Sequence, residues 1–190
     1  MINESEIRKT LSLIKPDGQL FEVRVIYNSK AVYSGYFKSA DDLMAALSRD
    51  IRDYANCNIY ITLNYLNDEC YSRSQRNRFM SKGLATTSDK DVLGYEWIFI
   101  DVDPHRTTAV SSSDDQVEKA KVIGNKVYAF MKNLGFYDPI CGFSGNGVHL
   151  LYRVKIKNSE ENVKLIDNCL KVLDMFFSTD DVQIDLKNFN

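Results

Sequence analysis

The first half of the chain alternates between segments with strand-like and helix-like spacing of apolar residues. Alternating β-branched and aromatic positions predict strands, and apolar residues three or four positions apart predict helices. In chain order, the predicted ranges are a helix over 5–14, a hairpin of strands 20–27 and 31–37, a helix over 39–54, a strand over 58–63 and a polar helix over 70–80. This half is therefore predicted to form a small α/β unit.

The second half begins with an unbroken run of large apolar residues over 97–100, which is typical of a strand buried on both faces. The predicted ranges are strand 95–102, helix 117–134, strands 140–143 and 148–156, helix 159–177 and strand 182–186. This β-α-β-β-α-β order is that of the ferredoxin-like, or split βαβ, arrangement. We therefore expect an α+β fold in which residues 95–190 form an RRM-like, ferredoxin-like core and residues 1–94 form a flanking N-terminal α/β unit of the same domain.

The charge balance limits the partners that the chain can bind. Its 190 residues carry a net charge of −2, which argues against non-specific binding to duplex nucleic acid, because such binding requires many basic side chains to neutralise phosphates. Residues 70–88 nevertheless lack acidic side chains and contain four basic ones. These form either a solvated polar surface or a patch that contacts the phosphates of a nucleic acid. The four are Arg73, Arg76, Arg78 and Lys82.

The cysteines and the apolar runs bear on where the protein is found. None of the four cysteines belongs to a C-x-x-C pair, and we interpret them as reduced, structural thiols. The N-terminus is polar and acidic, unlike a secretory signal, and no apolar run approaches the roughly 18 residues of a membrane span. We therefore expect a cytoplasmic protein without a membrane partner.

Three aspartates are the first candidates for chemistry. Asp101 and Asp103 follow the apolar run and project from one face of a strand, because residues i and i+2 share a face. Two adjacent carboxylates repel each other unless a cation lies between them, although two solvated acids at a strand end would show the same pattern. Asp185 lies on the last predicted strand, which can approach the first strand of the core. Three such carboxylates suit Mg²⁺, which prefers carboxylates together with substrate phosphates.

A glycine-rich turn is the second candidate element. Ser144-Gly145-Asn146-Gly147 contains Asn-Gly, the strongest short signal for a β-hairpin. Its two glycines also permit positive φ angles and close approach of the backbone, so that amide groups can face an anion. The hairpin and the anion site are compatible. His149, two residues further on, is either a phosphate-binding side chain or a core histidine among apolar neighbours.

These segments together resemble the archaeo-eukaryotic primase superfamily, and more narrowly the primase–polymerase catalytic domains of phages, prophages and plasmids. The resemblance rests on three motifs in order, covers most of the chain from residue 20 onward, and extends to residues 58–64 and 87–90. The motifs are Trp97-Ile-Phe-Ile-Asp101-Val-Asp103-Pro104, then Ser144-Gly-Asn-Gly-Val-His149-Leu-Leu-Tyr152, then Ile184-Asp185 with Asn190.

The resemblance implies roles for the matching residues. Asp101, Asp103 and Asp185 would be catalytic and would bind Mg²⁺ or Mn²⁺. The residues implied in holding the triphosphate are Ser144, Gly145, Asn146, Gly147 and His149, with Lys90 and Arg106 as further phosphate contacts. The implied activity is that of a metal-dependent DNA primase or polymerase, a nucleotidyltransferase that joins nucleoside triphosphates on single-stranded DNA in a bacterial host cell. A replicative helicase is a further partner that the resemblance suggests.

One departure from the family pattern favours an alternative. In such domains the third motif continues past the position of Asn190 into an Asn-x-x-Arg stretch that this sequence does not reach, so we expect a trimmed domain or a short relative. The alternative is a weak or inactive module that binds nucleotide or single-stranded DNA for a replication partner. Asp-x-Asp after an apolar strand also opens the pattern of haloacid dehalogenase phosphohydrolases, but Pro104 and His105 stand where those enzymes have Gly-Thr.

Overall fold

The computed structural model describes residues 2–81, 86–107 and 110–186, and the chain forms two compact units. The first unit comprises Met1–Tyr95 and the second comprises Glu96–Asn190. The sequence places the division after residue 94. Both units combine helices with antiparallel strand pairs, so the fold is α+β as expected.

The first unit is a three-stranded antiparallel sheet with two helices. Its elements are α1 (Glu4–Ile14), β1 (Phe21–Tyr27), β2 (Val32–Phe37), α2 (Ala40–Asp50), β3 (Cys57–Ile61) and a short β4 (Tyr65–Leu66). The strand order is β2-β1-β3, and β4 pairs with the start of β5 (Val92–Pro104). Asn3 and Ser39 cap the helices, because each side chain accepts a hydrogen bond from a backbone amide of the first turn. Apolar side chains of both helices and of β1 form one buried core.

The second unit contains the rest of β5 and adds two long helices. Its further elements are α3 (Asp114–Asn133), β6 (Ile140–Phe143), β7 (Val148–Lys157), α4 (Glu160–Phe177) and β8 (Val182–Ile184). β5 pairs with β7 and with β8, and β6 pairs with β7, which gives the order β8-β5-β7-β6. β8 is antiparallel to β5, and β6 is antiparallel to β7. Within the described ranges, none of the helices is both long and apolar enough to cross a membrane.

Two stretches differ most from the sequence-based expectation, and smaller differences occur at element ends, since α2 ends at Asp50 rather than 54 and α3 begins at Asp114 rather than 117. The polar helix predicted over 70–80 is wrong, because a 3₁₀ turn over Asp68–Ser72 is followed by irregular chain that ends in a bridge between Met80 and Ser34. Side-chain and backbone contacts with distant residues outweigh the modest local helix propensity there. In the other stretch, β5 extends beyond the predicted 95–102 at both ends, from Val92 to Pro104.

Candidate metal and nucleotide site

Asp101 and Asp103 project from the end of β5 in the second unit. The alternating residues Ile100 and Val102 are fully buried on one face, so the two carboxylates share the other face. Asp101 is buried, with 7% of its surface exposed, and Asp103 is half-buried. The alternative of two solvated acids at a strand end therefore does not describe Asp101.

Asp185 lies across the strand pair from Asp101. In the antiparallel pair of β5 and β8, Val102 faces Ile184, and the next step of this register sets Asp185 opposite Asp101. The amide of Asp185 donates a hydrogen bond to the carbonyl oxygen of Asp101, with 2.9 Å between nitrogen and oxygen. Directly opposed residues of neighbouring strands project to the same face of a sheet. The three carboxylates therefore belong to one face.

His149, on β7, stands next to Asp101. Its Nε2 atom is 3.4 Å from Asp101 Oδ1, and its ring meets the ring of Phe99 edge-on with 4.8 Å between centroids. The histidine side chain is 28% exposed, so it is not enclosed in the core. The imidazole therefore lies against the Asp101 carboxylate rather than inside the core, and its binding of phosphate stays a prediction.

The glycine-rich turn is a tight hairpin between β6 and β7. The amide of Ser144 donates to the carbonyl oxygen of Gly147, and Gly145 adopts a φ of +90°. Ser144 Oγ accepts hydrogen bonds from the amides of Asn146 at 3.2 Å and Gly147 at 2.9 Å. These two amides are therefore directed at the serine hydroxyl, whereas the sequence suggested that turn amides face an anion.

Gly147 is the point where this turn meets the carboxylates. A Cβ atom at Gly147 would overlap the carbonyl oxygen of Val102 and Oδ1 of Asp103, and would lie 3.1 Å from the Asp103 Cα. A side chain at this position would thus displace the end of β5. Gly147, the second glycine of the motif, permits the close approach of the turn to β5, and Gly145, the first, permits the positive φ.

Ser112 belongs to the same neighbourhood and was not predicted from the sequence. Its amide donates to Asn146 Oδ1 at 3.0 Å, which ties the chain before α3 to the hairpin turn. Its hydroxyl is buried and has no hydrogen-bond partner among the described residues. No sequence signal marks Ser112, because only the fold sets this segment against the turn.

Arg106 brings a positive charge to Asp103. Its Nη2 atom lies 3.7 Å from Asp103 Oδ2, and its Nη1 atom donates to the carbonyl oxygen of Val110 at 3.1 Å. Both charged side chains are about one quarter exposed, at 26% and 25%. The guanidinium is therefore oriented toward the site from the loop that follows β5.

The electrostatic setting of Asp103 reflects crowding of like charge. Burial raises the pKa of the Asp103 carboxyl above its ordinary value, and the neighbouring Asp101 raises this pKa further. Arg106 and His149 act in the opposite direction, and Asp185 adds a smaller upward effect on the same pKa. The charges of all four residues thus act on Asp103.

The donor chemistry fits a hard divalent cation. Carboxylate oxygens are the ligands that Mg²⁺ and Mn²⁺ prefer, and the glycine turn brings the backbone directly against Asp103. In the part of the chain that the structure describes, however, no three His, Cys, Asp or Glu side chains are arranged as a ready-made metal site. The carboxylates share a face and a strand pair, and the metal itself stays a prediction.

Two basic residues predicted to contact nucleic acid are paired with acids inside the first unit. Arg73 donates to both carboxylate oxygens of Asp91, at 2.7 and 2.5 Å. Arg78 approaches both oxygens of Asp50, at 3.1 and 3.0 Å. Acids that are distant in sequence therefore neutralise the apparently acid-free stretch, and these two arginines stabilise the first unit.

The remaining predicted basic residues have different settings. The guanidinium of Arg76 lies over the ring of Tyr71, 4.9 Å from its centroid. Lys90 is exposed in a 3₁₀ turn of the first unit, and Lys82 lies outside the described residues. Contact of these side chains with nucleic acid or phosphate stays a prediction.

Comparison with known proteins identifies no relative of this chain. No protein-family model matches the chain, and neither a curated protein nor a solved structure matches it. Membership of the primase superfamily therefore stays a prediction that rests on the three sequence motifs and on the residues described above.

Proposed function

We propose that the chain is a metal-dependent nucleotidyltransferase of the primase–polymerase type, which joins nucleoside triphosphates on a single-stranded DNA template. One observation carries the proposal. Asp185, from the third motif, is hydrogen-bonded through its backbone to Asp101 of the first motif, and the charges of both act on Asp103. Carboxylates from two motifs that are far apart in sequence share one face of a sheet, which is the arrangement that the proposed chemistry requires.

The topology of the second unit supports the finer assignment of the fold. Its elements follow the order β5-α3-β6-β7-α4-β8, and its strands lie in the order β8-β5-β7-β6. This is compatible with a ferredoxin-like, RRM-like core, the split βαβ arrangement on which the proposed primase-type catalytic site is built.

Each residue has a defined part in the proposed reaction. Asp101, Asp103 and Asp185 would hold Mg²⁺ or Mn²⁺, which would supply charge stabilisation for attack by a 3′-hydroxyl and for departure of pyrophosphate. His149 Nε2 donates to an oxygen of the triphosphate. Arg106 neutralises phosphate charge, and positioning together with such charge stabilisation supplies most of the rate.

The proposed partners follow from the reaction. They are nucleoside triphosphates, single-stranded DNA and, in replication of a phage, prophage or plasmid, a helicase in the bacterial cytoplasm. In the first unit, Arg76 and Lys90 are the stronger candidates for contact with nucleic acid or phosphate, because no acidic partner is shown for either side chain in the described part of the chain. Arg73 and Arg78 are weaker candidates, because each is bonded to a buried carboxylate.

Primer extension tests the proposal. The assay uses labelled primer on a single-stranded template with Mn²⁺ or Mg²⁺ and all nucleotides, and compares wild type with Asp101→Asn and Asp103→Asn. We expect a loss of roughly a thousandfold or more in extension rate for each variant. Asp167→Asn, on the exposed face of α4, is the matched control and keeps full activity. Extension that survives in the double variant contradicts the proposal.

One observation favours the alternative of a binding module without synthesis. The amides of Asn146 and Gly147 are bonded to Ser144 Oγ, so the turn presents fewer donors to a triphosphate than a dedicated phosphate loop. Titration with a fluorescent nucleotide and with labelled single-stranded DNA, run beside the extension assay, separates the two functions. Binding by wild type without extension under any metal supports the module.

A further inference from the structure

β3 is the terminal strand of the sheet in the first unit, and its outer edge is exposed. The strand order is β2-β1-β3, and the opposite edge is covered because Ser34 on β2 exchanges backbone hydrogen bonds with Met80 at 2.9 Å in both directions. On β3, Ile59 is 38% exposed and Tyr60 is 54% exposed. An exposed terminal strand is a template for pairing with a further strand.

The hydrogen-bond pattern identifies which backbone groups of β3 face outward. The amide of Thr62 donates to the carbonyl oxygen of Glu22, so residue 62 and every second residue before it direct their backbone groups at β1. Cys57, Ile59 and Ile61 therefore direct theirs away from β1. Ile59 is the middle residue of these three.

The edge lacks the charges that keep exposed strands apart. No charged residue and no proline occurs between positions 54 and 67, although exposed edge strands usually carry charged side chains or proline. Beside the edge lies an apolar groove of about 210 Å³ between α1, α2 and the sheet. It is lined by Ile7, Leu11 and Leu47 from the helices and by Ile59 and Ile61 from β3.

We propose that two copies of the chain pair antiparallel through β3, about a two-fold axis at Ile59, to form a continuous six-stranded sheet. Such a pair is self-complementary, because Ile59 of each copy exchanges both backbone hydrogen bonds with Ile59 of the other, and Cys57 meets Ile61. No like charges meet along the uncharged edge. Ile59 of the second copy lies at the open side of the groove and buries apolar surface there.

Sedimentation equilibrium of the full chain over a wide concentration range tests this pairing. Wild type is expected to be in monomer–dimer equilibrium. Ile59→Lys sets two like charges directly opposite each other and weakens the dimer by roughly tenfold or more. Leu165→Lys, at a 61% exposed position on α4, is the control and leaves the equilibrium unchanged. A wild type that is monomeric throughout, or a dimer that Ile59→Lys leaves intact, overturns the proposal.

A cysteine variant tests the register independently of any folding defect in Ile59→Lys. Hydrogen-bonded partners in an antiparallel pair have Cα atoms about 5.5 Å apart, which is within the range of a disulfide. Ile59→Cys should therefore form a disulfide-linked dimer under mild oxidation, in excess of wild type with its native thiols and of Leu165→Cys. A level of cross-linking equal to those controls overturns the two-fold axis at Ile59.

Discussion

The backbone amide of Asp185 is hydrogen-bonded to the backbone carbonyl of Asp101, at 2.9 Å, although 83 residues lie between the two in the sequence. This single bond extends the β5–β8 pairing by one step beyond Val102 and Ile184. It fixes the backbone positions from which the two carboxylates project to the same face. The proposed cation site therefore depends on correct pairing of the first and last strands of the second unit.

Asp103→Asn should stabilise the protein while removing its proposed function. Burial and the Asp101 carboxylate both raise the pKa of Asp103, so its charged form is unfavourable in the fold. The asparagine amide has nearly the same shape and no charge, so it removes this unfavourable interaction. We expect a rise of roughly 2 °C in the midpoint of thermal unfolding in chelator-treated buffer. Mn²⁺ in excess should raise the midpoint of wild type and not that of the variant.

The control for this prediction is Asp167→Asn, which neutralises an exposed carboxylate paired with Lys171. It should respond to Mn²⁺ as wild type does. If Asp103→Asn melts at a lower temperature than wild type without metal, its carboxylate stabilises the fold and the proposed crowding of charge is incorrect.

Gly147→Ala and Gly145→Ala should have different consequences. The methyl group at 147 overlaps the carbonyl of Val102 and the carboxylate of Asp103, so we expect a loss of stability of about 2 kcal/mol and loss of metal-dependent extension. The methyl group at 145 meets open space, and only the φ of +90° is strained, at a cost of about 1 kcal/mol. Urea unfolding and the extension assay measure the two effects. Equal loss of extension in both variants contradicts a specific contact at 147.

Arg106→Gln should change the affinities for metal and for triphosphate in opposite directions. The guanidinium near Asp103 repels a second cation, so its removal should tighten Mn²⁺ binding in the absence of nucleotide by roughly three- to tenfold. The same change removes a phosphate contact and should weaken binding of the nucleotide. Calorimetric titration measures both affinities. Lys121→Gln, which removes one charge from the exposed side of α3, is the control, and unchanged Mn²⁺ affinity in Arg106→Gln counts against this role.

The acid stability of the first unit should depend on Asp50. Burial raises the pKa of this carboxyl, but hydrogen bonds from Arg49, the Phe79 amide and Arg78 outweigh burial and lower the pKa to about 2. A depressed folded-state pKa contributes stability that is present above the unfolded value and is lost as the pH falls from about 4 to about 2. The contribution is about 2 kcal/mol at most.

Urea unfolding of wild type and Asp50→Asn across this pH range checks the prediction. The wild type should lose more stability on acidification than the variant, because the amide does not titrate. Parallel stability curves for the two proteins would show that Asp50 has the same affinity for protons in the folded and unfolded states.

Periodicity predicted most of the elements because the helices have an apolar face and most strands have a recognisable apolar pattern. The strand over Ile140–Phe143 has the predicted bounds, and the helix over Glu160–Phe177 begins one residue after its predicted start at Ser159, its capping residue. The polar helix over 70–80 could not be excluded from the sequence, since its arginines are held by Asp50 and Asp91, whose positions only the fold determines.

The sequence predicts those parts of the candidate site in which one strand carries two of the residues. It does not predict the parts that depend on contacts between loops. Alternation alone sets Asp101 and Asp103 on one face, whereas the approach of Asp185 depends on strand order. Ser112 had no signal because it is one of three consecutive serines. The direction of the turn amides toward Ser144 depends on a side-chain rotamer, which the sequence does not specify.

Mn²⁺ binding by Asp101→Asn, Asp185→Asn and the double variant, followed by electron paramagnetic resonance, tests most directly whether the first and third motifs share a cation. We predict that each single change weakens Mn²⁺ binding at least tenfold and that the double change costs less than the sum of the two in free energy, because both act on one ion. If Asp185→Asn binds Mn²⁺ as tightly as wild type, the two motifs do not share a metal and the proposed nucleotidyl transfer is wrong.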